Sequence, residues 1–518
     1  MRYIFSLLLF VTLQVVTLGQ NDGKKNILFI AVDDLKPLLS NYGCAQMHTP
    51  NFDRLAAMGA TFTNAHVQQA VCGPSRASIM TGTYPDVTRV WDLHTDFRKS
   101  NPELISMPEY LISQGYETAA VGKIYHKGSA AEGHDGKSWS IPHKQPKNFD
   151  PAFGEPAFSF YQAPETKSRV NELIEEAKAK GIKGPGKQRN YAMEQCKPST
   201  ECIEASDEAY LDGLYTKSAL NLMRQLKKGD KPFFLAVGYQ KPHLPFVAPK
   251  KYWDLYQRED IQLDPQQTLA SGTPQIAYHT FGELRAFTDI DDDAKLGQPL
   301  DEAKQRELIH GYMACVSYID AQIGKLLDEL DRLGLTDNTA IVLWGDHGFH
   351  LGDHTLWCKH SNFEQATRIP LMFAGPGVAA GSQISQPVEL LDVFPTLFAI
   401  TGVAPSSQTQ GISLLPLLDS DATTTVEKDY AMSAYPRQKK TMGYSIRTDR
   451  YRYTEWHTND YHSTKPYDAA NLVGVELYDY EKDPQESINL AIDKAYAPVV
   501  ANMQQKLKAH LDKQVANR

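Results

Sequence analysis

Ile27-Leu28-Phe29-Ile30-Ala31-Val32-Asp33-Asp34 is an apolar run that ends abruptly in two carboxylates. An uninterrupted run of this length suits a strand covered on both faces, as in a parallel sheet with helices on either side. The paired acids fall where such a sheet binds its ligands, just outside the carboxyl ends of its strands. The pattern recurs downstream. Thr118–Val121 leads into Gly122-Lys123 and His126, Phe233–Val237 into His243, and Ala340–Trp344 into Asp346-His347. Ile369–Phe373 is a further strand candidate. A lone Asp after a strand is ordinarily a turn former or a helix cap. Chemistry-bearing residues after four strands point instead to a site along one edge of the sheet, provided the strands run parallel.

Between the strands, Thr49-Pro50 opens a helix that Gly59 closes. Apolar residues three and four apart predict a long helix over 301–333. The fold class expected is therefore α/β, with a large, mostly parallel central sheet flanked by helices. Lys127–Ala205 and Asp264–Pro299 break the rhythm with turn residues and look like long surface excursions of the kind that frame sites. After about Asp421 the character changes. Tyr444–Arg447 and Tyr451–Trp456 flank a turn at Thr448-Asp449-Arg450, Glu476–Tyr480 is another strand, and Tyr496–Val515 a last helix. The expected division is a large domain over 20–420 and a smaller C-terminal α+β subdomain with an antiparallel sheet over 421–518.

The chain has 518 residues, 42% of them apolar, with 53 Lys and Arg against 62 Asp and Glu. The net charge of −9 argues against a nucleic-acid partner, and an anionic substrate would need a local basic pocket. Six cysteines exclude a disulfide scaffold. Arg2, the apolar stretch Tyr3–Leu18 and Gly19 resemble a secretory signal over 1–19, so export to the periplasm or beyond is expected, without stable membrane insertion.

Asp33, Asp34 and Asp346 offer hard oxygen ligands suited to Ca²⁺ or Mg²⁺, with His347 adding a nitrogen. Asp289, Asp291, Asp292 and Asp293 lack the spacing of a calcium loop and are expected to be solvated surface. Cys72 stands before Pro74, at the expected N-terminus of a helix that Thr81-Gly82 closes, with Arg76 one turn along the same face. It could be a buried thiol or a thiolate nucleophile. A more specific reading comes from Cys72-x-Pro74-Ser75-Arg76-x-x-x-x-Thr81-Gly82, which resembles the signature of the type I sulfatases. Gly122-Lys123-Ile124-Tyr125-His126 follows as that family requires, and Glu476–Asp479, Asp483-Pro484 and Asn489-Leu490 resemble its C-terminal signature. Gln68–Arg76, Lys241–Phe246, Asp346-His347, Ser361-Asn362-Phe363 and Met442–Thr448 are similar to the iduronate-2-sulfatase branch. One departure falls at Phe349-His350, where the lysosomal member of that branch has Trp-Ala, a position expected to border the site and bear on the choice of sugar.

The resemblance implies an alkaline-phosphatase-like fold and a sulfuric ester hydrolase acting on a sulfated oligo- or polysaccharide. The branch implies exo action on a uronic acid 2-O-sulfate, with another polysaccharide sulfate such as ulvan rhamnose 3-sulfate as the alternative. Cys72 would be oxidised to formylglycine (3-oxoalanine) by a formylglycine-generating enzyme. Its hydrate presents two hydroxyls, one to take the sulfate and one to release it. One Ca²⁺ would be held by Asp33, Asp34, Asp346, His347 and the modified Cys72. Arg76, Lys123 and Lys359 would bind sulfate oxygens, and His126 the formylglycine hydroxyl. His243 or Lys359 would protonate the leaving sugar oxygen. The branch also carries a cysteine pair like Cys196 and Cys202, for which a small disulfide is open, while Cys315 falls on an apolar helix stripe. Two other readings compete. A phosphoesterase of the same fold would use Ser or Thr with two zinc ions and more His ligands. A carbohydrate-binding protein on a sulfatase scaffold would leave Cys72 unmodified.

Overall fold

The computed structural model describes residues 23–291, 294–419, 426–438, 440–458, 460–463 and 467–516. The expected leader over 1–19 lies outside the described residues, as do Asp292 and Asp293. In chain order the first strands are β1 (Asn26–Val32), β2 (Gly59–His66), β3 (Glu117–Gly122), β4 (Thr200–Ile203), β5 (Phe233–Tyr239) and β6 (Phe246–Pro249). They are followed by β7 (Thr339–Gly345), β8 (His350–Leu351), β9 (Trp357–Cys358), β10 (Arg368–Ala374), β11 (Ser382–Ile384) and β12 (Val388–Glu389). The last four are β13 (Tyr430–Arg437), β14 (Thr441–Thr448), β15 (Tyr451–His457) and β16 (Leu472–Asp479).

The central sheet has the order β11-β2-β10-β7-β1-β5-β3, with β12 also paired to β2. β1 lies between β5 and β7, parallel to both, and β3 is parallel to β5. Every residue of β1 is buried, and its side chains divide cleanly between two cores. Leu28, Ile30 and Val32 enter the core that holds the helix Glu302–Arg332, while Ile27, Phe29 and Ala31 enter the core on the opposite face. That is the period-two alternation of a strand with both faces covered, and it accounts for the unbroken apolar run. β10 runs antiparallel to both β7 and β2, so the sheet is mixed at this flank.

Two departures from the sequence reading stand out. Gly59 ends the helix Pro50–Met58 as expected, but it also starts β2, whose polar residues Thr61, Thr63 and Asn64 hid the strand. The 127–205 excursion contains the helix Pro164–Ala179, which buries Val170, Leu173 and Ala177 in the first core. Seven charged residues in that helix masked its narrow apolar stripe.

At the C-terminal end β13-β14-β15-β16 form a separate antiparallel sheet. The helix Ala497–Ala516 lays Met503, Leu507 and Leu511, spaced by four, against Met442, Tyr444 and Ile446 of β14. No helix among the described residues is long and apolar enough to cross a membrane.

Candidate active site

Because β1, β3, β5 and β7 run the same way, their carboxyl ends share one edge of the sheet. Asp33 and Asp34 leave β1, Lys123 leaves β3, and Asp346 and His347 leave β7. Gly122 makes the turn to Lys123 at φ +78°, where a Cβ would stand 2.0 Å from the carbonyl of Gly238. Only glycine fits there. Asp34 itself sits at φ +58°, a left-handed conformation paired with a hydrogen bond from its N–H to Asp346 Oδ1 (2.9 Å).

Cys72 opens the helix Cys72–Thr81, all of whose residues are buried and which Gly82 caps at φ +68°. Arg76, one turn on, is buried between two carboxylates. Its Nε donates to Asp346 Oδ2 (2.8 Å), its Nη2 to Asp33 Oδ1 (3.0 Å) and its Nη1 to the carbonyl of Ile124 (3.0 Å). A buried guanidinium is tolerated only when paired and hydrogen-bonded in this way. Ser75 Oγ donates to the Asp346 carbonyl, a contact that sequence reading missed.

Around Cys72 Sγ stand His347 Nε2 (3.2 Å), Lys123 Nζ (3.7 Å) and Asp34 Oδ1 (4.0 Å). His347 Nδ1 donates to the Gly348 carbonyl (2.9 Å), which orients the ring with Nε2 facing the carboxylates. Nε2 is 3.2 Å from Asp34 Oδ1 and 3.6 Å from Asp346 Oδ1. Ligand atoms of Asp34, Cys72 and His347, and of Asp33, Cys72 and Asp346, lie within 4.8 Å of one another. Oxygen-rich donors this close, with one oriented imidazole, fit a hard divalent cation.

Burial drives the Cys72 thiol well above its ordinary pKa, and the Asp33 and Asp346 carboxylates push it the same way, outweighing Lys123 and Lys359. Burial and the two carboxylates both work against a thiolate at Cys72. Burial alone would raise Asp33, but Lys123 and Arg76 hold it well below the carboxylate range.

Lys359 Nζ bonds both Asp34 oxygens (3.2 and 3.0 Å) and Glu283 Oε1 (2.9 Å). Although burial opposes it, the Asp34 and Glu283 carboxylates hold its charge firmly in place. His243 Nε2 is 3.2 Å from the same Glu283 oxygen and its Nδ1 is 2.6 Å from the Leu244 carbonyl. His126 is placed differently. It makes no hydrogen bond to Cys72 and instead lines a cavity of about 430 Å³ with Asp33, Lys123, Phe160 and His243. Gly128 N–H donates to His126 Nδ1 (3.2 Å), and burial lowers its pKa to about 4, so the ring is neutral with its Nε2 proton free to donate. A larger cavity of about 820 Å³, between Tyr84, Gln410 and His510, contains none of these residues.

Other expectations need correction. Phe349 and His350 are fully buried behind the site: Phe349 packs on Tyr312 and Phe246, and His350 bonds Asp353 and Ser361. The departure there cannot contact a sugar. Cys196 and Cys202 are free thiols, because Cys196 packs toward the core while Cys202 faces outward from β4. Cys315 is in the core, as its helix stripe implied. Asp289 is exposed, as expected, and accepts from Ser199 and Lys304. Glu283 was missed altogether, for no motif or periodicity marks it.

A family model described as Sulfatase matches residues 25–403, and one described as N-sulphoglucosamine sulphohydrolase, C-terminal, matches residues 352–513. Iduronate 2-sulfatase of Homo sapiens is 32% identical over 538 residues, covering 90% of this chain and 91% of that one. A solved structure in complex with its substrate D-glucosamine-2-N,6-O-disulfate superposes with a TM-score of 0.71 at 24% identity, covering 96% of this chain and 99% of that one. The phosphonate monoester hydrolase of Agrobacterium radiobacter superposes with a TM-score of 0.68 at 21% identity, covering 95% and 96%. Fold and site together define an alkaline-phosphatase-like hydrolase. The chain belongs to the sulfatase family, whose members hydrolyse sulfate esters.

Proposed function

We propose that this protein is an exported, exo-acting sulfatase that removes the 2-O-sulfate from a uronic acid in a sulfated polysaccharide, using one Ca²⁺ and a formylglycine made from Cys72. The observation that carries this reading is the convergence of Asp33, Asp34, Asp346 and His347 Nε2 on the Cys72 side chain. The finer substrate assignment is supported by two segments shared with the iduronate branch. Lys241–Phe246 carries His243, and Met442–Thr448 forms β14, whose Gly443 carbonyl accepts from Asn362 (3.0 Å). We also place the boundary between catalytic domain and C-terminal subdomain near 420, ahead of β13.

In this reading Asp33, Asp34, Asp346 and His347 would hold the ion, which would supply Lewis-acid charge to the reaction. Formylglycine at position 72, installed by a formylglycine-generating enzyme, supplies the hydrated aldehyde oxygens that a thiol lacks. The residues of the chain do the rest. Arg76 fixes Asp33 and Asp346, Lys123 Nζ faces position 72, and Lys359 holds a fixed ammonium against Asp34. Neutral His126 offers an N–H into the cavity, and His243 or Lys359 gives a proton to the departing sugar oxygen. The charges agree with an anionic ester. Asp33, Asp34, Asp346 and Glu283 face Arg76, Lys123 and Lys359, and these seven groups sum to one negative charge. A divalent cation would turn this into one positive charge, matched to the single charge of a sulfate monoester.

The reading is tested by intact mass and substrate choice. Active enzyme from its own host should carry formylglycine at position 72, and in a panel of sulfated disaccharides the uronic acid 2-sulfates should be cleaved ahead of rhamnose and hexosamine sulfates. A thiol at position 72 in every active molecule would overturn the mechanism. Preference for another sugar would overturn the substrate alone.

A further inference from the structure

Glu283 lies outside every motif and outside the candidate metal ligands, yet three side chains from two segments, His243 from one and the adjacent Lys359 and His360 from the other, meet on its carboxylate. Oε1 accepts from Lys359 Nζ (2.9 Å) and lies 3.2 Å from His243 Nε2, while Oε2 lies 3.2 Å from His360 Nε2. Each of these partners is tied again from behind. His243 Nδ1 is held by the Leu244 carbonyl (2.6 Å), His360 Nδ1 by the Tyr435 hydroxyl (2.8 Å), and Lys359 Nζ by Asp34 (3.0 Å).

The backbone that brings Glu283 there is anchored firmly. Phe281 precedes it at φ +36°, a strained left-handed conformation, and Phe281 and Leu284 are both buried on either side of it. Strain of this kind persists only where packing over-determines it. Glu283 nonetheless keeps 24% of its side chain exposed. It is a carboxylate set in the wall of the site by a rigid support.

We propose that Glu283 is a positioning residue for the leaving-group half of the reaction, holding His243 and Lys359 where the ester oxygen departs. This rests on the sulfatase reading above, in which one of those two residues protonates that oxygen. Without the carboxylate, His243 keeps a single tie through Nδ1 and Lys359 keeps only Asp34, so the proton donor loses its fixed place. Misplacing a reacting group by about 1 Å costs on the order of 10²-fold in rate. The loss should follow the basicity of the departing oxygen, because general-acid help matters most for a poor leaving group. A scaffold defect would slow all esters alike.

The experiment compares wild type, Glu283→Gln, Glu283→Asp and Cys72→Ala on 4-nitrophenyl sulfate, whose phenolate leaves readily, and 4-methoxyphenyl sulfate, whose phenolate does not. For Glu283→Gln, kcat on the methoxy ester should fall about 10²-fold, against less than about fivefold on the nitro ester, with KM for both little changed. Glu283→Asp keeps the charge at shorter reach, and the same skew should persist at about tenfold. Equal losses on both esters, or no loss on either, would overturn the proposal; if the Gln variant does not fold, the Asp variant decides by the same criterion. Cys72→Ala separates the two claims. Inactivity on both esters leaves the sulfatase reading standing whatever Glu283 does, whereas activity there removes that reading and this proposal with it.

Discussion

Asp33, Asp34, Lys123, Asp346 and His347 leave the ends of parallel strands, whereas His243, Glu283, Lys359 and His360 stand on the segments that connect them. The first group is placed by the sheet. Pairing of Val32 with both Tyr239 and Gly345 fixes Asp33 relative to Asp346 before any side chain is considered. The second group is placed by individual contacts. Between residues 354 and 360, His354, Thr355, Cys358 and His360 all have positive φ, and for a β-branched Thr this is a true outlier. Such a backbone is held from outside. Gly297 N–H donates to Thr355 Oγ1 (2.8 Å), and Arg437 of β13 reaches the His360 carbonyl (2.6 Å) and that of Ala277 (3.1 Å). In the proposed mechanism the sulfate side thus belongs to the scaffold, and the leaving-group side is a bracket bolted onto it.

Changes on the strand-end side should abolish chemistry. The largest effect is expected for Cys72→Ala, with kcat lower by on the order of 10⁴-fold or more and an unchanged melting temperature. Cys72→Ser should be equally inactive when made in a host whose maturation enzyme accepts only cysteine. Measurable turnover in either variant would detach position 72 from the reaction.

Asp346→Ala ranks next. It should lose bound calcium and activity together, by on the order of 10³-fold or more, because it removes one charge from the candidate ion site and one from Arg76. It should also cost about 3 kcal/mol or more of stability by leaving the buried guanidinium half paired. Metal analysis and melting on the same sample check both. A variant that keeps its calcium would take Asp346 out of the metal site.

The same contrast explains what could be read without coordinates. The strand-end residues were legible because an apolar run followed by a polar residue is a local pattern, and Cys72-to-Gly82 is a fixed motif on one helix. β2 was not, since its alternation includes Thr61, Thr63 and Asn64. Glu283 was illegible in principle: its meaning lies in contacts with residues 40 positions earlier and 76 and 77 later in the chain, and nothing near it in sequence hints at them. Lys359 was recoverable only through family resemblance, and His243, flagged by its place after a strand, gained a role only from that resemblance.

Lys123→Met asks how far one strand-end donor matters alone. It should lower kcat by about 10²–10³-fold, the usual cost of one preorganised donor. Calcium binding should survive, as Lys123 supplies no ligand. Loss of calcium as well would mean the Lys123–Asp33 pair shapes the ion site.

The smallest effect on chemistry is expected from the bracket's hidden support. Asp353 accepts from His350 Nδ1 (2.5 Å) and Leu351 N–H (3.1 Å), and His350 Nε2 reaches Ser361 Oγ (2.8 Å), linking both flanks of the Lys359 segment. Burial would raise the Asp353 pKa, but His350 and Lys36 override it and bring it from 3.8 down to about 2. A carboxylate depressed on folding stabilises the fold fully above its unfolded value and loses that contribution as pH falls through the folded one. Asp353 therefore contributes about 2 kcal/mol near neutrality, fading below pH about 4 and gone below about 2. Asp353→Asn should cost about 1–3 kcal/mol at pH 7 and only a few-fold in kcat, since nothing that faces the substrate has moved. Urea unfolding of both proteins from pH 7 to pH 3 should show the gap narrowing as the medium turns acid. A gap that stays constant, or a loss in kcat approaching that of Lys123→Met, would mean this support reaches the chemistry directly.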